Sequence, residues 1–267
     1  MGFSKSSNRA ESPATKRYTW SGGEHLSEGK YRFSYYDSEK GENVEVELPF
    51  EAWMLENTIS IGGGGDGYYY WTNEAAPANY ESAGSSLTLH KTTFNQDGSR
   101  FSEVIARGTY QQIKEILGKR DRNGKPVLPQ DMKFQQNYYF YNPKSKEIEC
   151  IRMQGAMNSA FISFTNAHKD WGQRKLSFKQ KAEPSKTGSI YYYEPEFTAG
   201  DPYNEEEMKI MGEKDNIVLD YIKSLFAQGG QNEGVDPTVD QTPKAYDGEQ
   251  SQEQPEGGDI NLTDIPF

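Results

Sequence analysis

The chain has 267 residues, enough for one or two domains with a substantial core. Its 40 acidic and 29 basic residues leave a net charge of −11, so binding to a polyanion requires the positive charge to be concentrated in one part of the chain. The single cysteine, Cys150, excludes an internal disulfide, and the absence of a charged-then-apolar leader and of any window near 18 apolar residues favours a cytoplasmic protein.

The charge is unevenly distributed along the chain. The net charge is −9 over residues 18–83, +9 over residues 84–186 and −12 over residues 201–267. Aromatic residues make up 13% of the sequence, with 18 tyrosines among them. A positive segment that contains many rings therefore lies between two acidic segments.

The first elements are a flexible arm and a pair of strands. Residues 1–17 carry no hydrophobic periodicity, so we expect an arm without regular structure and an ordered body that begins near Tyr18. Alternating apolar and polar side chains predict strands over residues 30–36 and 43–50, joined by a turn at residues 40–42.

A glycine-rich stretch at residues 62–67 separates two further predicted strands, 57–61 and 68–72. A phosphate-binding loop would need a following Lys-Ser or Lys-Thr, which this stretch lacks. The glycines therefore predict a hairpin tip or a mobile finger between the strands.

The remaining elements alternate strands with a few helices. Asn204 and Glu207 form a capping-box pattern that predicts a final amphipathic helix to about Phe226. Beyond it, residues 227–267 hold nine acids and one base with few apolar side chains, and we expect them to be disordered. The other predicted elements are strands over 86–92 and 100–106, a helix over 109–117, a hairpin formed by 134–141 and 147–153, a helix over 156–167 and a strand over 174–181.

Many short strands with few helices predict a mainly β domain over residues 18–203. The pattern favours a small closed or nearly closed barrel of the OB type with extra strands and hairpins, followed by the helix at 204–226 and the acidic tail. A β-sandwich fits this pattern almost as well.

The sequence contains no recognisable pattern of residues for catalysis by a nucleophile or by a metal ion. The three histidines, His25, His90 and His168, are scattered, and no zinc-ligand spacing occurs. The carboxylate pairs Glu45/Glu47 and Glu147/Glu149 could hold Mg²⁺, but alternation along a strand explains them as solvated positions. We therefore expect no enzyme activity, no cofactor and no metal.

The residues for single-stranded DNA binding are present. Unpaired bases stack on flat side chains, and phosphates follow a path of cations. On the predicted strand 174–181, alternation places three lysines on the face opposite Leu176 and Phe178. A single ring in a strand is more often a core residue, so only the set as a whole favours DNA. The candidate DNA-binding residues are Trp53, Tyr68, Tyr69, Trp71, Lys91, Arg100, Arg107, Lys133, Tyr138, Tyr139, Tyr141, Arg152, Lys175, Lys179 and Lys181.

The C-terminal sequence Asp264-Ile265-Pro266-Phe267, at the end of an acidic tail rich in Gln, Gly and Pro, resembles the tip of bacterial single-stranded DNA-binding proteins. The body is longer than that of a typical bacterial member and looks more like phage-encoded replication proteins of this kind, which carry a similar tail on a diverged OB-fold. Leu262 and Thr263 stand where the bacterial tip has further aspartates.

This resemblance implies a coat protein for single-stranded DNA in replication, recombination and repair, located in the cytoplasm of a bacterium or of a phage-infected host. It also implies that the tip, residues Asp264, Ile265, Pro266 and Phe267, binds partner enzymes such as a polymerase, a helicase or primase, or a nuclease. A homo-oligomer fits this function as well as a monomer does, and no membrane is involved.

Two other function classes fit the composition. The first is a β-sandwich module whose rings stack on sugars or on a protein partner, and its binding would be insensitive to salt. The second is a Mg²⁺-dependent DNA-processing enzyme, which would degrade an oligonucleotide.

Overall fold

The computed structural model describes residues 11–21, 32–77, 85–95, 97–187 and 190–228. Most of the predicted arm, the tail from residue 229 and its tip at Asp264–Phe267 lie outside the described residues. Within them the chain forms thirteen strands and three α-helices, which confirms a mainly β protein. The elements are β1 Arg17–Ser21, β2 Arg32–Asp37, β3 Glu42–Glu45, β4 Phe50–Gly65, β5 Tyr68–Thr72, β6 Leu87–Phe94, β7 Arg100–Gly108, α1 Tyr110–Leu117, β8 Met132–Asn142, β9 Glu147–Gln154, α2 Gly155–Ala167, β10 Arg174–Gln180, β11 Ser185–Thr187, β12 Ile190–Tyr192, β13 Pro195–Pro202 and α3 Glu205–Gln228.

Eleven of the strands form one open sheet. Its hydrogen-bonded order is β3-β2-β1-β9-β8-β4-β5-β6-β7, with β10 and β13 joined to the N-terminal end of β4. Neighbours are antiparallel except β1 and β9, which are parallel. In the described part of the chain the terminal strands β3 and β7 do not pair, so the expected closure of a barrel is wrong.

The length of β4 distinguishes the observed sheet from the predicted one. This strand of 16 residues pairs with β10 through residues 50–52, with β8 through 53–63 and with β5 through 62–65. The sequence predicted separate strands over 43–50 and 57–61. Instead β3 ends at Glu45, and the new strand starts after Pro49, which has no N–H for a sheet ladder. The continuous β4 thus joins β10 and the β5–β7 strands to one sheet.

The glycine stretch forms the hairpin tip that its composition predicts. The last four residues of β4 pair with β5, and the turn lies at Asp66-Gly67. Gly63 has a φ of +136°, and a Cβ there would overlap the carbonyl oxygen of Asp131. Glycine is thus required for β4 to pass this close to the chain that enters β8.

Each helix covers a different part of the sheet with its own apolar cluster. α2 packs Met157, Phe161 and Phe164 on the cluster around β1, β2, β8 and β10. α1 inserts Ile113 into a cluster between β4, β6 and β7. No helix in the described residues is long and apolar enough to cross a membrane.

Helix α3 begins and packs as its sequence predicts. The Asn204 side chain accepts a hydrogen bond from the Glu207 amide at 3.0 Å, and the Glu207 carboxylate accepts one from the Asn204 amide at 3.0 Å. Val218 and Ile222 are fully buried against β8 and β9. This helix therefore covers the Tyr139 side of the sheet and leaves the β5–β7 end uncovered by helix on that side.

Candidate nucleic-acid interface

The exposed part of the sheet that carries both rings and cations lies on β5, β6 and β7. In an antiparallel pair, residues directly opposite each other point to the same face. The pairings Trp71↔His90 and Phe94↔Arg100, together with alternation along each strand, place five side chains on one face. We call this set the platform: Tyr69, Trp71, His90, Phe94 and Arg100.

The platform rings are ordered by contacts with each other. The Trp71 indole and the His90 imidazole are stacked, with centroids 4.0 Å apart and planes 3° from parallel. The Tyr69 and Phe94 rings lie 5.5 Å apart. Trp71 Nε1 donates a hydrogen bond to Thr92 Oγ1 at 3.0 Å. The four rings are each partly exposed, so they present flat faces whose orientation is already set.

Cations lie around the platform without carboxylate partners. The Arg100 guanidinium is 5.5 Å from the centre of the Phe94 ring. Arg107, farther along β7, is exposed. Among the described residues, neither arginine forms an ion pair. Their charge is therefore available to a phosphate group.

Lys133 lies on the same face as the platform. Gly62 of β4 is opposite Trp71 on one side and opposite Lys133 of β8 on the other. Gly62 has no side chain, and the Gln135 side chain of β8 occupies the space above it, since its Nε2 lies 2.5 Å from where a Cβ would be. Between β5 and β8 the face is therefore lined by Trp71, Gln135 and Lys133.

Two of the predicted residues, Tyr68 and Lys91, lie on the opposite face of the same hairpin. Lys91 Nζ is 4.9 Å from the centre of the Tyr68 ring, and Tyr68 donates a hydrogen bond to Asp131 Oδ2 at 2.9 Å. That bond to the Asp131 carboxylate, more than burial, raises the pKa of the Tyr68 hydroxyl. These residues are therefore not part of the platform.

The other predicted rings are core residues. Tyr138 lies 4.7 Å from Phe161 of α2, and Tyr139 lies beneath α3. Trp53 contacts Tyr141 at 5.5 Å. A ring without exposed surface cannot stack on a base, so these four are excluded from the interface. Their relative exposures are 6% for Trp53, 8% for Tyr138, 0% for Tyr139 and 7% for Tyr141.

Two of the three predicted lysines lie on β10 and Lys181 directly follows it, but a carboxylate lies beside each of them. β13 contributes one of the partners, the residue before β13 another, and α3 the third. Such exposed pairs add little stability, yet they neutralise the local charge. This strand is therefore not an open phosphate track. The pairs are Lys175 with Glu207 at 2.6 Å, Lys179 with Glu196 at 3.6 Å and Lys181 with Glu194 at 3.3 Å.

A buried network around Glu74 ties α3 to the sheet. The Glu74 carboxylate forms an ion pair with Arg17 and accepts hydrogen bonds from Tyr139 at 2.6 Å, Thr58 at 2.7 Å and Tyr221 of α3 at 3.3 Å. Burial alone would raise the pKa of Glu74, but the Arg17 charge and the hydroxyl donors hold it below its usual value. Glu74 is therefore a structural carboxylate.

The carboxylate pairs considered for Mg²⁺ have different environments. Glu45 and Glu47 are exposed, as alternation predicts. The same prediction is wrong for Glu149, which is fully buried and accepts hydrogen bonds from Tyr18 at 2.9 Å and Asn142 at 2.7 Å. No group of three or more His, Cys, Asp or Glu side chains suited to a metal occurs in the described residues.

Two platform residues, His90 and Phe94, were not among the sequence candidates. The signal for them is the alternation in β6, where Leu87 and Leu89 are buried and every second residue from Thr88 onward faces the other side. Their contact with Trp71 and Tyr69 depends on the pairing of β5 with β6, which the sequence does not show.

Comparison of the chain with protein-family models, with curated proteins and with solved structures finds no match. The functional assignment therefore depends on the residues and geometry described above.

Proposed function

We propose that the chain is a non-catalytic single-stranded DNA-binding protein that coats DNA strands during replication, recombination and repair. The observation that carries this proposal is the platform, where partly exposed rings in contact with each other lie beside arginines that have no carboxylate partner among the described residues. Rings of this kind stack on any base and contribute about 1–3 kcal/mol per base.

The charge arrangement supports single-stranded DNA over a neutral ligand. A sugar or an apolar peptide would gain nothing from Arg100 and Arg107, whereas a phosphate backbone would neutralise them and release counterions. Duplex DNA hides its bases in the stack, so the rings would contribute little to its binding. The platform is thus suited to unpaired bases on a charged backbone.

We further propose that the body is a diverged, unclosed relative of the OB type, and one contact across the core supports this. Phe33 of β2 and Phe178 of β10 come within 5.2 Å across the core, although their strands do not pair in the described residues. This ring contact closes the apolar interior by side chains where backbone pairing is missing. OB-folds commonly bind single strands on an exposed sheet face.

The acidic tail supplies the second half of the proposed function. Its last residues, Asp264-Ile265-Pro266-Phe267, would bind replication, recombination or repair enzymes through an aromatic side chain and a terminal carboxylate. A sheet that binds DNA and a separate tail that binds enzymes would bring those enzymes to the coated strand.

Binding is tested by tryptophan fluorescence and by anisotropy of labelled DNA at about 50 and 200 mM salt. We expect oligo-dT to bind more tightly than duplex DNA, with an affinity that falls with salt at a slope of about −0.7 per phosphate contact. Trp71→Phe is the matched control, since it keeps a ring for stacking but removes an indole reporter. It should retain most of the affinity and lose much of the quenching.

Three results would contradict the proposal. They are equal affinity for duplex and single strands, salt-insensitive binding, and Mg²⁺-dependent degradation of the oligonucleotide. The second would favour a sugar- or protein-binding module, and the third a DNA-processing enzyme.

A further inference from the structure

Arg152 occupies the centre of the sheet on the same face as the platform. It lies on β9, opposite Asn137 of β8 and Thr19 of β1. Asn137 and Lys133 alternate along β8 and so share a face. Arg152 lies three strand spacings from β5, about 14 Å, and its row at Asn137 is four residues along β8 from the row of Trp71 and Lys133, about 13 Å.

The Arg152 guanidinium has no partner in the described part of the protein. Its Nε atom is buried and makes no hydrogen bond, and the side chain forms no ion pair with a described carboxylate. Asn137 Oδ1 is also without a hydrogen-bond partner, but Asn137 has no exposed surface. Arg152 retains some exposed surface and can therefore contact a ligand.

The surroundings of Arg152 compensate its charge only in part. Burial first, and the positive charge of Arg17 second, lower the pKa of Arg152, while Cys150 and the Glu74 carboxylate raise it. Glu74 already forms an ion pair with Arg17, so one carboxylate is shared between two guanidinium charges. Arg17 differs, because its ion pair with Glu74 raises its pKa despite burial. Charged side chains taken from water are normally paired, and one left unpaired reduces stability. The presence of a guanidinium without its own ion-pair partner at this position is explained if an anionic ligand binds it.

We infer that Arg152 binds a phosphate of the single strand, at the point where the strand leaves the platform and crosses β4 and β8. This inference rests on the proposed function and deepens it, because it gives the DNA a direction across the strands of the sheet. A few extended nucleotides span the distance from Trp71 to Arg152. The guanidinium can donate two parallel hydrogen bonds to phosphate oxygens.

The test uses the full chain with Arg152→Gln, and Arg152→Lys as the conservative variant. We expect Arg152→Gln to weaken oligo-dT binding about fivefold at low salt and to make the salt slope shallower by about 0.7, with Arg152→Lys restoring most of the slope. An abasic strand of equal length should lose affinity by the same factor. Because a charge that its surroundings compensate only in part is removed, the Tm should equal or exceed that of the wild type.

Arg174→Gln is the matched control. Arg174 is already paired with Asp170 at 2.6 Å, so the DNA affinity of this variant should not change.

If the wild type binds oligo-dT and Arg152→Gln has the same affinity and slope, the inference fails while the proposed function stands. A loss on oligo-dT but not on the abasic strand would show a base contact and overturn the phosphate assignment. A large fall in Tm would show that Arg152 is structural. If the wild type does not bind single strands, the proposed function itself fails.

Discussion

The sheet carries cations on strands at both ends of β4, but among the described residues only one end leaves them without carboxylate partners. On β10 and directly after it, each outward lysine forms an ion pair with a glutamate of α3, of β13 or of the residue before β13. On β7, Arg100 and Arg107 lie next to β6, whose platform-facing residues Thr88, His90 and Thr92 carry no carboxylate. A row of cations on a strand is therefore available to DNA only when the neighbouring elements bring no acids to the same face.

The rings show the same contrast. Tyr138 and Tyr139 lie on a central strand with helices over both faces, and both are buried. Tyr69 and Trp71 lie on a hairpin whose platform side is covered by none of the helices in the described residues. The position of a strand in the sheet, more than its residue types, decides whether its rings can bind a ligand.

Removal of the platform rings should have the largest effect on binding. The double variant Tyr69→Ala/Trp71→Ala removes two stacking surfaces, so we expect at least a hundredfold loss of affinity for oligo-dT. Anisotropy of labelled DNA measures it. Tyr191→Ala removes an exposed ring near the β10 end, and its affinity should stay within twofold of the wild type. Equal losses in the two variants would refute the distinction between the two ends.

Neutralising the unpaired arginines should have the next largest effect. Arg100→Gln/Arg107→Gln removes two charges that no described carboxylate balances, so we expect about tenfold weaker binding at low salt. The slope of log affinity against log salt should become shallower by about 1.4, since each lost phosphate contact accounts for about 0.7. A titration series at several salt concentrations measures both. An unchanged slope would mean that these arginines do not contact phosphate.

Asp215 lies on α3, at a position where its surroundings disfavour the charged form of its carboxyl group. Burial, and then the charge of Glu56, raise the pKa of Asp215 to about 6. The folded protein thus binds this proton more tightly than the unfolded chain, whose aspartate pKa is near 4, and stability falls as the pH rises from about 4 to 6. Asp215→Asn should stabilise the protein by about 1 kcal/mol above pH 6, allowing for partial solvent screening, and by little at pH 4.

Denaturant unfolding at several pH values measures this difference. The exposed Asp220→Asn on the same helix is the control, and it should give no pH-dependent gain. DNA affinity should be unaffected by Asp215→Asn, because α3 is not on the platform. If Asp215→Asn raised the free energy of unfolding equally at pH 4 and pH 7, burial and the charge of Glu56 would not be the cause.

Neutralising the paired lysines should have the smallest effect. In Lys179→Gln/Lys181→Gln, the removed charges were already balanced by Glu196 and Glu194. We expect oligo-dT affinity within twofold of the wild type and an unchanged salt slope, measured as for the β7 arginines. A loss of affinity as large as that of Arg100→Gln/Arg107→Gln would extend the interface to β10. The two ends of the sheet would then not differ in their binding to DNA.

Local patterns were sufficient to predict most elements of this protein. Asn204 and Glu207 predicted the start of α3, and the glycines at 62–67 predicted a hairpin tip, because capping and turn formation involve only neighbours in the chain. The alternation in residues 134–141 and 147–153 likewise predicted the β8–β9 hairpin.

Three features were decided by tertiary structure. The open sheet contains a β4 of sixteen residues that takes three partners from distant parts of the chain. The burial of Tyr139 depends on α3, which lies far along the chain. The pairing of Lys179 depends on β13, which brings Glu196 alongside it.

The sequence by itself determined the segregation of charge, the abundance of rings and the type of most elements, since these depend on composition and on contacts a few residues apart. Tertiary structure alone decided which rings are exposed and which cations are unpaired. Those properties depend on the carboxylates and helices that distant segments place against each strand, and no local pattern records that placement.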